Sequence, residues 1–126
     1  MHIEFKMTDD ILIVSAFGEL DHHTAQTLRQ QVDEAMNTFK CKNLVLDFAQ
    51  VGFMDSSGIG VVLGRYNKVK EKKGEIYLTG CSFYVEKILY MSGVFTIINQ
   101  EKQVEDAIDK IKGQEQLRME VKGNEQ

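Results

Sequence analysis

The segment Asn43 to Phe48 constrains the fold most. Leu44, Val45 and Leu46 stand side by side in it, so an extended chain here is apolar on both faces. Such a strand has to be covered from both sides, the condition of a central strand flanked by helices. Neighbouring patterns supply the helices. Ala25, Leu28, Val32, Ala35, Met36 and Phe39 recur at helical spacing and predict a helix from Thr24 to Phe39 with one apolar face. Ile59, Val62, Leu63, Tyr66 and Val69 predict a second from about Ser57 to Lys73. Lys68, Lys70, Lys72 and Lys73 crowd its end, where cations complement the dipole, and Gly74 is the expected stop.

The rest of the chain fits around that pair. His2 to Met7 alternates weakly and reads as an edge strand, joined through Thr8-Asp9-Asp10 to a second strand, Ile11 to Phe17. Gly18-Glu19-Leu20-Asp21 breaks that run. Glu75 to Thr79 reads as a strand, Ser82 caps a helix reaching about Met91, and Val94 to Asn99 reads as a short strand. Val104 to Ile111 is the last expected helix, with Val104, Ala107, Ile108 and Ile111 inward. Gln114 to Gln126 is polar except for Leu117, Met119 and Val121, which predicts a frayed helical extension or a disordered tail. The expected fold class is therefore α/β. One domain over residues 1–113 holds a mixed sheet of about five strands with about four helices, and residues 114–126 form a polar tail.

Charge and composition narrow the function. Fifteen Lys and Arg against nineteen Asp and Glu give a net charge of −4, without a basic stripe, which argues against nucleic acid as a partner. No apolar run approaches the length that spans a bilayer and no leader is evident at Met1, so no membrane role and a cytoplasmic location are expected. Cys41 and Cys81 lack the spacing of a metal knuckle or a disulfide scaffold. His22 and His23 are adjacent and suit joint ligation badly, so neither metal nor cofactor is expected.

The candidate site is Phe53-Met54-Asp55-Ser56-Ser57-Gly58, at the start of the second helix. Unpaired backbone N–H groups and the helix dipole favour negative charge there, and a phosphate on a serine would be stabilised. Capping by Asp55, Ser56 or Ser57 is the alternative reading. Gly58, Gly60 and Gly64 fall within two turns of this helix start, each costing about 1 kcal/mol relative to alanine. They suit either close approach of a partner or tight packing against a strand of the same chain. Gly18-Glu19-Leu20-Asp21-His22-His23-Thr24 also joins a strand to a helix, and such connections meet at one edge of an open sheet. Asp21 could then face the Ser56 hydroxyl, or Asp21 or Thr24 could cap the first helix. No nucleophile elbow, phosphate-binding loop or dinucleotide fingerprint occurs, so no enzyme is expected. A receiver-like domain phosphorylated on Asp47, with Asp9, Asp10 and Thr79 around it, is a remote alternative. Asp9-Asp10 leads straight into a strand, however, and no lysine follows the fifth strand until Lys102.

Four blocks carry a resemblance: Gly18-Glu19-Leu20-Asp21-His22-His23-Thr24-Ala25, Phe53-Met54-Asp55-Ser56-Ser57-Gly58-Ile59-Gly60, Leu63-Gly64-Arg65-Tyr66 and Met91-Ser92-Gly93. Together, over roughly Ile3 to Lys112, the chain resembles the anti-sigma factor antagonists, which consist of a single STAS domain. The sporulation branch, which frees sigma F, is the most similar; a sister general-stress pathway or a stress-signalling scaffold module is the alternative. The resemblance implies that the unphosphorylated protein binds an anti-sigma factor with serine kinase activity, ATP or ADP being bound on that partner. It also implies phosphorylation on Ser56, which ends binding, and a metal-dependent serine phosphatase that reverses it. The implied partner-binding residues are Asp21, His22, His23, Asp55, Ser56, Ser57, Gly58, Ile59 and Gly60, and a monomer is expected for the free protein.

Overall fold

The computed structural model describes residues 1–124. Its five-stranded sheet has the order β1-β2-β3-β4-β5, formed by β1 (His2–Thr8), β2 (Ile11–Leu20), β3 (Asn43–Met54), β4 (Ile76–Thr79) and β5 (Asn99–Glu101). β1 and β2 form the opening antiparallel hairpin, and every later pairing is parallel. The helices are α1 (His22–Phe39), α2 (Ser56–Glu71), α3 (Phe83–Met91) and α4 (Val104–Asn124). Leu12, Val14, Leu44, Leu46 and Leu78 turn one face of the sheet toward α1, α2 and α3. Ile11, Ile13, Val45 and Tyr77 turn the other toward Ala107 and Ile111 of α4. The doubly apolar strand is thus central and covered on both sides, as its sequence demands.

Several boundaries differ from the sequence reading, each for a local reason. β2 does not end at Phe17. Its pairing with β3 shifts register between Ser15 and Phe17 and again between Gly18 and Glu19, and Gly18 takes φ +119, so the strand bulges past the glycine and reaches Leu20. β3 likewise runs six residues beyond Phe48, because that extended β2 gives it a partner. Val94 to Asn99 is not a strand. Val94–Thr96 is a 3₁₀ turn after Gly93, and β5 begins at Asn99. The buried apolar residues there, Val94 and Ile98, are four apart, which is helical rather than alternating spacing. Phe39, expected inward, is 53 % exposed at the end of α1.

Gly74 does not terminate α2 by its own conformation. The helix ends at Glu71, Lys73 takes the left-handed turn at φ +60, and the Gly74 N–H donates to the Val69 carbonyl at 2.9 Å. What Gly74 provides is clearance, since a Cβ on it would lie 1.8 Å from the Lys42 carbonyl oxygen. Beside it stands Asn43, fully buried. Its amide donates to Asp10 Oδ1 (3.0 Å) and Glu115 Oε1 (2.7 Å), and its carbonyl oxygen accepts from the Glu75 N–H (2.8 Å). Asn43 therefore knots the β1–β2 turn, the start of β4 and the far half of α4 together. Arg118 adds an ion pair to Glu75 and a hydrogen bond to the Lys73 carbonyl, so α4 continues as a helix through residues 114–124. Glu125 and Gln126 lie outside the described residues.

Candidate functional site

The site grows out of one register fact. Leu20, the last residue of β2, pairs with Met54, the last of β3, so the two parallel strands stop at the same level. Each hands over to a helix through an aspartate. Asp21 (φ −109, ψ −170) caps α1 and Asp55 (φ −114, ψ −170) caps α2, in nearly the same backbone conformation. The Asp55 N–H donates to the Leu20 carbonyl at 3.2 Å and ties the two connections together. Two helix N-termini thus stand side by side at the carboxyl edge of the sheet, where open α/β sheets build sites. Neither has an acidic side chain in its first turn.

Both aspartates are occupied by their own helices. Asp55 Oδ1 accepts from the Ser57 N–H at 2.8 Å. Asp21 Oδ1 accepts from the His23 and Thr24 N–H groups at 2.9 and 3.0 Å, and Thr24 Oγ1 accepts from the Asp21 N–H at 2.9 Å, which completes a capping box. The carboxyl group of Asp21 is directed at its own helix; no hydrogen bond joins it to the Ser56 hydroxyl among the described residues. Hydrogen bonds from Thr24 and His23 hold its pKa below the ordinary 3.8 against a partial opposing effect of burial. A depressed native pKa contributes stability that is present above 3.8 and is lost as pH falls through the lower native value. Asp21→Asn, which keeps a capping oxygen, should therefore flatten the dependence of Tm on pH below 3.8, as read by thermal melts across that window.

Ser56 is the first residue of α2 and is exposed. Ser57, half-buried, faces the seam between the helices. There it lines a groove of about 300 Å3 with His22, Ala25, Gln26, Arg29, Gly60 and Val61. His22 and His23 are both exposed on the first turn of α1, their ring centroids 5.7 Å apart. Ile59 is partly buried against the core. The three early glycines of α2 divide by role. Gly58 is buried, and a Cβ on it would come within 2.6 Å of Met54 Cγ, so that glycine serves internal packing. Gly60 and Gly64 have open space where a Cβ would stand, so no strand or helix of this chain explains them.

Sequence reasoning missed Gln26 and Arg29. They follow His22 at four and seven residues, a polar stripe on α1 that helical spacing could have exposed. It also placed Arg65 only within a motif, whereas the structure buries it at 3 % exposure among the apolar residues that α2 turns inward. Asp47 does meet Thr79 (3.5 Å) and Ser15 (3.2 Å), but Asp10 is held by Asn43, four residues along β3, or about 13 Å away. The acidic pair is not brought to Asp47.

A family profile described as STAS domain matches residues 2–107. A curated relative from Paenibacillus polymyxa, an anti-sigma F factor antagonist, is 43 % identical over 98 residues, covering 78 % of this chain and 84 % of its own. The chain belongs to the STAS domain family, among the anti-sigma factor antagonists. Solved structures of similar proteins agree. The anti-sigma factor antagonist SpoIIAA in its unphosphorylated form has a TM-score of 0.78 at 31 % identity, covering 89 % of this chain and 97 % of that one. The Bacillus cell fate determinant SpoIIAA in the phosphorylated form has a TM-score of 0.69 at 30 % identity, covering 87 % and 99 %. This antagonist therefore belongs with regulatory binding proteins that act on an anti-sigma factor. No helix of the described residues is long and apolar enough to cross a membrane, and among them no three His, Cys, Asp or Glu side chains gather as a metal centre would.

Proposed function

We propose that the unphosphorylated antagonist binds an anti-sigma factor that is also a serine kinase and thereby releases sigma F, in the control of sporulation transcription. The kinase, holding ATP, phosphorylates Ser56 and the complex dissociates; a metal-dependent serine phosphatase restores the active form. The observation that carries this reading is the placement of Ser56, an exposed hydroxyl at a helix start, between the α1 cap and a helix face bared by Gly60 and Gly64. A similar protein has been solved in a phosphorylated form, which supports the modification.

The physics of the switch is local. Phosphorylation adds about −1.5 to −2 charges at neutral pH. The positive end of the α2 dipole accepts that charge without refolding, while a partner packed over the hydroxyl meets bulk and an uncompensated anion. Asp21, His22, His23, Asp55, Ser57, Ile59 and Gly60 form the proposed contact surface with Ser56, and buried Gly58 shapes the helix beneath it. The test is incubation with the anti-sigma kinase of the same genome and ATP, followed by peptide mass mapping. One phosphate on Ser56 with loss of the complex is expected; no phosphate, and no complex in ADP, would refute the reading.

The glycine face gives an independent check. Gly60→Ala should raise Tm slightly, because it removes about 1 kcal/mol of helix cost and its Cβ meets nothing. Gly60→Leu should fold equally well but weaken kinase binding by at least ~10-fold, through loss of close approach. Unchanged affinity in titration calorimetry would remove Gly60 from the contact surface.

A further inference from the structure

Of the block Leu63-Gly64-Arg65-Tyr66, the function proposed above uses only Gly64, yet the block also contains an unusual residue in the fold, Arg65. Arg65 lies two and a half turns after Ser56 on the inward side of α2, 3 % exposed. It meets Asp33 of α1, Nε to Oδ1 at 2.9 Å, in contact but off the line of a hydrogen bond, and its Nη1 has no partner among the described residues. Asp33 is also reached by Lys68 Nζ at 3.5 Å. Arg29 adds a like charge nearby. A buried guanidinium with one imperfect partner is poor value as a stabilising contact, and an apolar side chain of similar volume is the ordinary solution at such a place.

Its position suggests what it does. α1 and α2 are tied at their starts by the Asp55 N–H to Leu20 carbonyl bond. Beyond that tie the seam opens into the groove lined by His22, Gln26, Arg29, Ser57 and Gly60. Past Arg65–Asp33 it opens again, into a second hollow of about 210 Å3 lined in part by Met36, Asn37 and Glu71. The ion pair is the polar bridge between two hollows. Val61, Val62 and Val69 pack α2 on the core without directional contacts, and Arg65–Asp33 adds a directional one about 14 Å along the helix from the tie at its start.

We infer that Arg65 is a positioning residue: through Asp33 it fixes the roll of α2 against α1, and so sets the direction in which Ser56, Gly60 and Gly64 face. As a statement about how the Ser56 surface works, this inference rests on the function proposed above; as a statement about the geometry of the free protein it does not.

The experiment uses the full chain as Arg65→Met, with Arg65→Lys as the conservative variant. Met fills the space, and Asp33 keeps Lys68 as a counter-ion, so Arg65→Met should melt cooperatively within a few degrees of the wild type. In the free protein, the backbone amide signals of Asp21 to Thr24 and Asp55 to Gly60 should shift in Arg65→Met and return toward wild type in Arg65→Lys. With the anti-sigma kinase and ATP, kcat for phosphorylation should fall about tenfold, with KM changing less, because the hydroxyl is mis-aimed. Unmoved amide signals in Arg65→Met would overturn the inference. So would loss of the cooperative melt, which would make Arg65 a prop of the fold itself. Shifted amides with wild-type phosphorylation would overturn its link to Ser56. A wild-type protein that is not phosphorylated would refute the proposed function and leave the amide signals to decide the positioning role.

Discussion

Ser56→Asp is expected to abolish the complex with the anti-sigma factor, and Ser56→Ala to keep it while resisting phosphorylation. The side chain at residue 56 opens α2, exposed, at the positive end of a helix whose first turn holds no acidic residue and whose one nearby carboxylate, on Asp55, is already engaged by the Ser57 N–H. A carboxylate there is welcome to the free protein, because it complements the dipole. It is costly in a complex that has to bury it. A loss of only about 3 kcal/mol changes affinity more than a hundredfold. The melting temperature of Ser56→Asp should be unchanged or slightly higher than wild type, so that a binding defect cannot be blamed on the fold. Titration of each variant into the ADP-bound kinase measures the first effect, and a melt the second. Ser56→Ala that is still modified to full extent on Ser57 would mean that the neighbouring hydroxyl is the acceptor. Ser57 faces the seam rather than solvent, which is why the opposite result is expected.

The largest expected loss of stability comes from Gly74→Ala, far from that surface. The added Cβ would stand 1.8 Å from the Lys42 carbonyl oxygen and 2.6 Å from its carbonyl carbon. Both are backbone atoms at the entrance to β3. They cannot retreat easily, since the next residues are held by the Leu44 N–H to Glu75 carbonyl bond (2.9 Å) and by buried Asn43. The substitution should cost on the order of 3 kcal/mol or more, and lower Tm by more than ~10 °C for a chain of this size. Differential scanning calorimetry reads the effect directly. A Tm within a degree or two of wild type would show that the β3 entrance yields. Gly60→Ala is the matched control, the same chemical change with open space at the new methyl group.

Much of this was readable from the chain because the signals were local. The apolar faces of α1 and β3, the Ser82 cap and the strand-helix alternation need only nearest-neighbour spacing to be seen. The misreadings share a cause in pairing or packing between distant segments. Gly18 looks like a strand breaker until β3 is there to hold a bulge. Asp47 and Thr79 look like half of an acceptor site until Asp10 is found tied to Asn43. Residues after Gly113, open in the sequence between a helical extension and a disordered tail, are helical to Asn124, and there too distant contacts decide, Glu115 reaching Asn43 and Arg118 reaching Glu75. At the site itself, the serine, both caps and the glycines were visible, because helix starts carry their own grammar. The roles of Asp21 and of the separate glycines were not, because a carboxylate that turns toward its own helix and one that turns toward a neighbour leave the same letters.

The twin helix starts have a consequence for accuracy. A kinase that reads backbone shape at an aspartate-capped helix would find that shape twice on this molecule, once after Asp21 and once after Asp55. Residue for residue, Ser56 corresponds to His22, Ser57 to His23 and Gly58 to Thr24. The decoy start therefore offers imidazoles where the true one offers hydroxyls. Its single hydroxyl, on Thr24, is already committed to the Glu19 carbonyl at 2.7 Å and to the Asp21 N–H. The molecule repeats a geometry but presents an uncommitted hydroxyl at only one of the two copies, so under the proposed function the substrate itself, rather than proofreading in the enzyme, would keep phosphate from the wrong helix start.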